Sequence, residues 1–395
     1  MLIRLRGRQR VRRIIMSLRI NGKRLKEARL FNHLTMSALA DQIGVSKQAI
    51  SKYEHNKIEI SSAVFQKIVQ VLNFPLYFFT DFEKVPYQDD GTFYRSRLTA
   101  TQSEKQPSKT YKKAAAYLRD YFENYIDFPE LDTKLELEES PENAANELRR
   151  IWNLDDQPIS DIVDLMERHG LIIVNVDFNS NKIDARSGYV EIGEKQYYIV
   201  LVNGKKQNFF RDQFTLAHEL GHYAMHAKLY HPQEDLMGQD YRNIENEANQ
   251  FASAFLMPKD SFKSDLTKNR FINIDTFINL KSKWNVSIAA MVHRAHDLKL
   301  IDDKEYIKLQ KQISYRGWRT KEIMDDEKIM SEPKALNQAF ELLEEHGVVH
   351  PKDLNDKLRE MYGIVFPNEI LSQILGIDLD KFRSSIVRLK DRRSE

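Results

Sequence analysis

Residues 214–222 read Phe214-Thr215-Leu216-Ala217-His218-Glu219-Leu220-Gly221-His222. Two histidines four apart on a helix lie on one face about a turn apart, so both imidazoles can reach one ion. Phe214, Ala217, Leu220, Gly221 and Ala224 give this stretch the apolar stripe of an amphipathic helix, expected over 214–226. Glu219 sits beside the histidines. Zinc lowers the pKa of a water it holds toward ~7, and a neighbouring carboxylate can take the proton as that water attacks a peptide carbonyl. The expected metal ligands are therefore His218 and His222, the expected cofactor is Zn2+, and the expected catalytic base is Glu219.

A third protein ligand is needed. Moving outward, residues 244–255 form a second helix holding Glu245 and Glu247, closed by Met257-Pro258. Residues two apart on a helix point to roughly opposite faces. Glu245 shares its face with Ala248, Asn249, Ala252 and Phe255, a small face suited to packing on the histidine helix. Glu245 is the expected third ligand, with Glu247 in reserve. The chain has no cysteine, so only His and carboxylates can hold a metal. His226 falls ~80° around a regular helix from His218 and is expected to pack or to touch the site at second hand. His293 and His296 have no carboxylate pattern beside them and read as structural.

The apolar, β-branched runs 171–176 and 197–202 read as buried strands preceding this helix. Taken together, the motif Phe214–His222, His226, the Glu245…Ala248-Asn249…Phe251-Ala252…Phe255-Leu256-Met257-Pro258 run, Ile183-Asp184-Ala185-Arg186-Ser187-Gly188 upstream, and Trp284-Asn285-Val286-Ser287-Ile288 with Arg316-Gly317-Trp318-Arg319 downstream resemble the ImmA/IrrE family of metallopeptidases over roughly 140–320. The resemblance implies a gluzincin-type ligand set at His218, His222 and Glu245, a general base at Glu219, and a repressor-type protein as substrate. That substrate would be either the chain's own head or a separate partner, with cleavage relieving repression after a signal.

The head has its own pattern. Thr35 opens a helix, Gly44 ends it, Val45 and Ile50 turn inward, and Ser46 caps the next helix, which runs to Tyr53-Glu54. This is the two-helix core of a helix-turn-helix. Ser46, Lys47 and Gln48 open the reading helix, with Ser51 and Lys52 a turn later. Thr35 and Ser37 are placed to reach phosphate. Gln48 can pair with an adenine edge and Lys47 with guanine or phosphate. Residues 21–80, with Ile50-Ser51-Lys52-Tyr53-Glu54-His55-Asn56-Lys57, resemble the Cro/repressor-like, XRE-type proteins. Charge agrees: residues 1–80 hold 15 Lys and Arg against 4 Asp and Glu, a net +11, and the rest of the chain holds 45 against 54, a net −9. A basic head on an acidic body points to a polyanion, here double-stranded DNA. Six of those arginines lie in residues 1–15, and the sequence before Met16 suggests a natural start at Met16.

The expected fold class is α+β and mostly helical: an all-α helix-turn-helix bundle, a central zincin-like domain with a small sheet, and a C-terminal helical segment. The expected divisions are a basic leader at 1–16, the DNA-binding domain at 17–81, a linker and connector helix at 82–138 (helix 109–126), the peptidase-like domain at 139–322, and a segment of unreadable role at 323–395. No run approaches the ~18 apolar residues of a membrane span, and the start is no secretory signal, so a cytoplasmic protein without membrane partners is expected, with a homodimer among its expected states. Three readings follow: a DNA-binding regulator with a zinc endopeptidase body, a regulator or antitoxin-like protein whose metal site is structural or ligand-sensing, and a peptidase whose head binds protein.

Overall fold

The computed structural model describes residues 17–18, 20–89, 101–132, 135, 140–178, 185–204, 208–226, 239–268 and 271–383. The expected leader 1–16 and its Met16 lie outside the described residues.

Local signals build the head. Helices α1 (Gly22–Phe31), α2 (Met36–Ile43), α3 (Lys47–Glu54), α4 (Ser62–Leu72) and α5 (Leu76–Thr80) follow one another. Asn21, Thr35, Ser46 and Ser61 each accept a first-turn N–H of the helix they cap. Gly44 ends α2 at φ 75°, the left-handed conformation that glycine adopts without strain. A two-residue strand β1 (Ser17–Leu18) pairs antiparallel with β2 (Ile60–Ser61). Leu25, Ala28, Leu39, Ala40, Ile43, Ile50, Phe65 and Ile68 fill the interior. The Arg29 guanidinium, Nε 2.6 Å from Glu54, ties α1 to the end of α3 away from solvent.

The segment expected to link head and body is instead structural. Its first part is β3 (Tyr87–Asp89), and its helix α6 runs Gln102–Phe122, beginning seven residues before the expected 109. The reason is a capping box: Thr101 accepts from the Glu104 N–H while the Glu104 carboxylate accepts from Thr101. That pairing starts a helix in a polar, Pro107-containing stretch that composition alone marks as loop. Tyr117, Leu118, Tyr121 and Phe122 of α6 are buried, so the expected connector helix is also a core helix.

Next come α7 (Pro141–Ile151) and α8 (Ile162–Arg168), then strands β4 (Ile172–Val176), β5 (Ala185–Ile192) and β6 (Lys195–Asn203). The sheet order is β3-β5-β6-β4, with β4 and β6 parallel and the other pairs antiparallel. Both faces are covered, and the period of two divides the strand side chains between two cores. Tyr198, Val200, Ile173 and Tyr189 face a core shared with α7, α8 and the helices that follow the sheet. Those helices are α9 (Phe209–Gly221), α10 (Gln239–Leu256), α11 (Lys259–Leu266), α12 (Ile274–Trp284), α13 (Ile288–Asp297) and α14 (Asp303–Tyr315). Tyr197, Ile199, Leu201 and Val190 face the other core, built from α6 with α15 (Ala335–Glu345), α16 (Leu354–Tyr362) and α17 (Asn368–Leu375). The C-terminal segment is thus half of a core.

The head docks on this second side. Phe31 of α1 lies 6.1 Å from the Tyr111 ring of α6. Arg24, 2% exposed, donates to Phe78 O within the head at 3.2 Å and to Gly363 O at 3.1 Å. Gly363 has φ +67°, and a Cβ there would stand 2.1 Å from Phe82 O, so the junction requires glycine. Among the described residues no helix is long and apolar enough to cross a membrane.

Candidate metal centre and nucleic-acid interface

Asn208 caps α9 by accepting from the Arg211 N–H. The helix does not run regularly to His226 as expected: after Gly221 it widens into a π turn, His222–His226. Gly221 is where α10 crosses. A Cβ there would come within 3.2 Å of Ala248 Cα and O and 3.1 Å of the Phe251 ring, so the motif's glycine sets the approach of the two helices. That approach brings Glu245 to the histidines. His218 Nε2 and His222 Nε2 are 3.1 Å apart, and Glu245 stands 3.5 Å from each through its two oxygens. The three donor atoms lie within 4.8 Å of one another. Glu245 Oε1 is buried and accepts no hydrogen bond. Two imidazole nitrogens and a carboxylate oxygen without a hydrogen bond, converging in a buried corner, fit a divalent cation of the zinc type.

The surroundings keep the donors available. Burial pushes His222 from its ordinary 6.5 down to about 3, so it is a neutral nitrogen donor at neutral pH. Burial alone would raise the Glu245 carboxyl, but the His218 and His222 rings beside it outweigh burial and hold the group well below the usual carboxylate range. His218 Nδ1 donates to Asn249 Oδ1 at 3.0 Å, which aims its Nε2 at the shared corner. Glu219, 2% exposed, accepts from the Ser187 hydroxyl of β5, and Ser187 Oγ lies 2.8 Å from the Tyr198 hydroxyl of β6. Burial and the Glu219 charge push the Tyr198 phenol well up, so it stays a donor. Sequence spacing gave no hint of Ser187 or Tyr198, because Ser187 reaches Glu219, and Tyr198 reaches Ser187, from strands. Asn249, one turn beyond Glu245, was visible as a member of the same helix face. Glu247, held in reserve as a ligand, faces away and pairs with His226. His293 meets Tyr306, and His296 meets Asp303.

The His222 shift has a consequence for stability. In the unfolded chain this histidine protonates near 6.5 and in the folded chain near 3. Between those values the unfolded state binds more protons, so the contribution is complete above 6.5 and is lost as pH falls. Denaturant melts of chelator-treated protein should show midpoints falling from about pH 6.5 toward about pH 3. A drift unchanged in His222→Asn would remove His222 as its source.

Beside the corner, a cleft of about 650 Å³ opens between α9, α10, α13 and α14. Thr215, Asn249, Ser253, Ala290, Ile313 and Trp318 line it together with the charged Arg211, Arg319 and Glu322.

In the head, Thr35, Ser37, Ser46, Lys47, Gln48 and Lys52 are exposed and Ser51 is half-buried. Thr35 Oγ1 and Ser46 Oγ accept the Ala38 and Ala49 N–H groups at 3.0 and 3.1 Å, so both hydroxyls are also helix caps and offer a ligand their O–H. Ile50 and Tyr53 on the opposite side of α3 are buried.

Residues 25–79 match a helix-turn-helix domain and residues 166–296, which include His218, Glu219, His222 and Glu245, match the IrrE N-terminal-like domain. The chain is 37% identical over 76 residues, 19% of its own length and 70% of the relative's, to an uncharacterized transcriptional regulator in the ATPase CF(0) region of Rhodospirillum rubrum. The chain belongs to the XRE-type helix-turn-helix proteins and carries an IrrE/ImmA-like domain in its body.

Proposed function

We propose that this chain is a DNA-binding transcriptional regulator whose body is a zinc endopeptidase that cuts a repressor-type protein. The observation carrying the enzymatic half is the convergence of His218, His222 and Glu245 on one buried corner with Glu219 held beside it. When bound, zinc supplies Lewis-acid activation of a water and of a peptide carbonyl. The chain's own residues do the rest. His218, His222 and Glu245 hold the ion, and Asn249 fixes the His218 ring. Ser187 anchors Glu219 Oε2, so the carboxylate is aimed when it accepts the proton of the attacking water. The cleft beside Asn249 takes the substrate segment next to the cut bond.

The head lies on one side of the sheet and α9 and α10 on the other. That separation supports cleavage of a separate molecule rather than of the chain's own head. Mapping new protein termini in cells with wild type against Glu219→Gln tests the reading; a regulated phenotype left intact by that change favours a metal site that is structural or senses a ligand.

On DNA, α3 enters the major groove, Gln48 reads an adenine edge, Lys47 and Lys52 meet guanine or phosphate, and Thr35, Ser37, Ser46 and Ser51 contact the backbone. A homodimer presents two such heads to half-sites about 34 Å apart. In fluorescence-anisotropy titrations, Lys47→Ala and Lys52→Ala should each flatten the log affinity against log salt slope by about 0.9. Wild-type binding that is insensitive to salt would instead favour a head that binds protein.

A further inference from the structure

His226 closes the π turn 1% exposed, with its Nδ1 3.1 Å from His222 Nδ1 and its Nε2 3.0 Å from Glu247 Oε2. We propose that His226 and Glu247 are a positioning pair that sets the tautomer and aim of His222 as a metal ligand. The inference rests on the reading that His218, His222 and Glu245 hold a zinc ion.

The argument is proton bookkeeping along one line of atoms. Two Nδ1 atoms 3.1 Å apart share a single hydrogen, so one ring donates and the other accepts. A ligand nitrogen cannot carry a proton. His222 turns Nε2 toward His218 and Glu245, so its hydrogen must sit on Nδ1 and be donated to His226. His226 must then accept on Nδ1 and carry its own hydrogen on Nε2, where Glu247 accepts it. Every member has one allowed state, and the carboxylate at the end selects it. A histidine ligand whose other N–H is engaged is fixed in orientation and made a stronger donor. Here the engagement passes through a second imidazole before reaching a charge.

The same geometry explains why α10 carries two glutamates. Glu245 meets the ion's corner from one side of the helix, and Glu247 reaches the end of the π turn from the other. The widened turn is what places His226 there; a regular helix would carry it further around from His218.

The test uses the full chain, zinc, and a competing chelator, with cobalt(II) absorption as a report on ligand geometry. His226→Leu should weaken zinc binding by about 10–100-fold and alter the cobalt spectrum. His226→Gln, whose amide oxygen accepts from His222 and whose NH2 donates to Glu247, should recover affinity to within about threefold of wild type. Glu247→Ala, at a side chain 43% exposed, should weaken zinc by about tenfold without loss of fold. If His226→Leu does not fold, Glu247→Ala decides alone. Zinc affinity within about twofold of wild type in a folded His226→Leu or in Glu247→Ala overturns the proposal, because second-contact losses are larger than that. Weakening that His226→Gln does not recover overturns the tautomer role and leaves only a structural tie. Wild type that binds no zinc overturns the metal-site reading itself, a separate outcome.

Discussion

In Glu219→Gln, peptide hydrolysis falls by about 10²–10⁴-fold, the range general acid–base groups supply, while zinc stays bound. The substitution is nearly isosteric, and its amide oxygen still accepts the Ser187 hydroxyl that Glu219 accepts now. The three donors His218, His222 and Glu245 are untouched. What disappears is a group able to take a proton, so the loss belongs in kcat more than in KM. Substrate should therefore remain captured on the inactive chain, and a cross-linking pull-down from cells carrying Glu219→Gln should enrich the protein whose new termini vanish from the terminus map. Adding purified wild type to that captured protein should restore the cut if, as proposed, the substrate is a separate molecule; the candidate site and the head lie on opposite sides of the sheet. A rate in Glu219→Gln within about threefold of wild type would be too small a loss for a general base and would sink the role. Loss of zinc along with activity would mean that Glu219 serves as a ligand.

The features legible in the sequence are those set by local rules. Thr35, Gly44 and Ser46 act within one helix turn, and each begins or ends the element read from it. His218 and His222 were legible as a pair because metal chemistry restricts residue type and the helix restricts spacing. Glu245 required one further step, the choice of a helix face, and Gly221 shows why that face is the near one. What could not be read is nonlocal. β5 holds Arg186, Ser187 and Gly188, none of which favours a strand, and it exists because β6 and β3 pair with it on either side. The C-terminal segment read only as helical; its partner is α6, more than two hundred residues earlier. His226 was placed by regular helix arithmetic, and the π turn breaks that arithmetic. Ser187, Tyr198 and the His226–Glu247 contact all cross between elements, where spacing carries no information.

Lys281→Met should cost about 3–5 kcal/mol of stability, the penalty for removing one partner of a buried ion pair. The Lys281 side chain is 0% exposed, and its Nζ lies 2.9 Å from Glu322, 2.5 Å from Asp325, 2.7 Å from Ile323 O and 4.4 Å from the Phe210 ring centre. Met fills similar volume, so cavity formation adds little, and the cost is that of leaving two desolvated carboxylates without their cation. Neither carboxylate is idle. Glu322 accepts the Ile288 and Ala289 N–H groups that open α13, at 2.8 and 3.1 Å. Asp325 accepts from Asn208, the cap of the His218 helix, at 2.8 Å. The network therefore joins the wall of the cleft to the start of the His218 helix, and its loss should weaken zinc at the proposed site as well as lower the urea midpoint. Adding Glu322→Gln and Asp325→Asn to Lys281→Met removes the stranded charge but keeps only one of the two Glu322 oxygens that accept the Ile288 and Ala289 N–H groups, so the triple variant should recover part of the deficit. Net worth and penalty separate in that comparison: a buried pair can be costly to break without being stabilising to own. A Lys281→Met deficit under about 1 kcal/mol, the value of an exposed pair, would mean that water reaches these charges and that the cleft wall is held by packing alone.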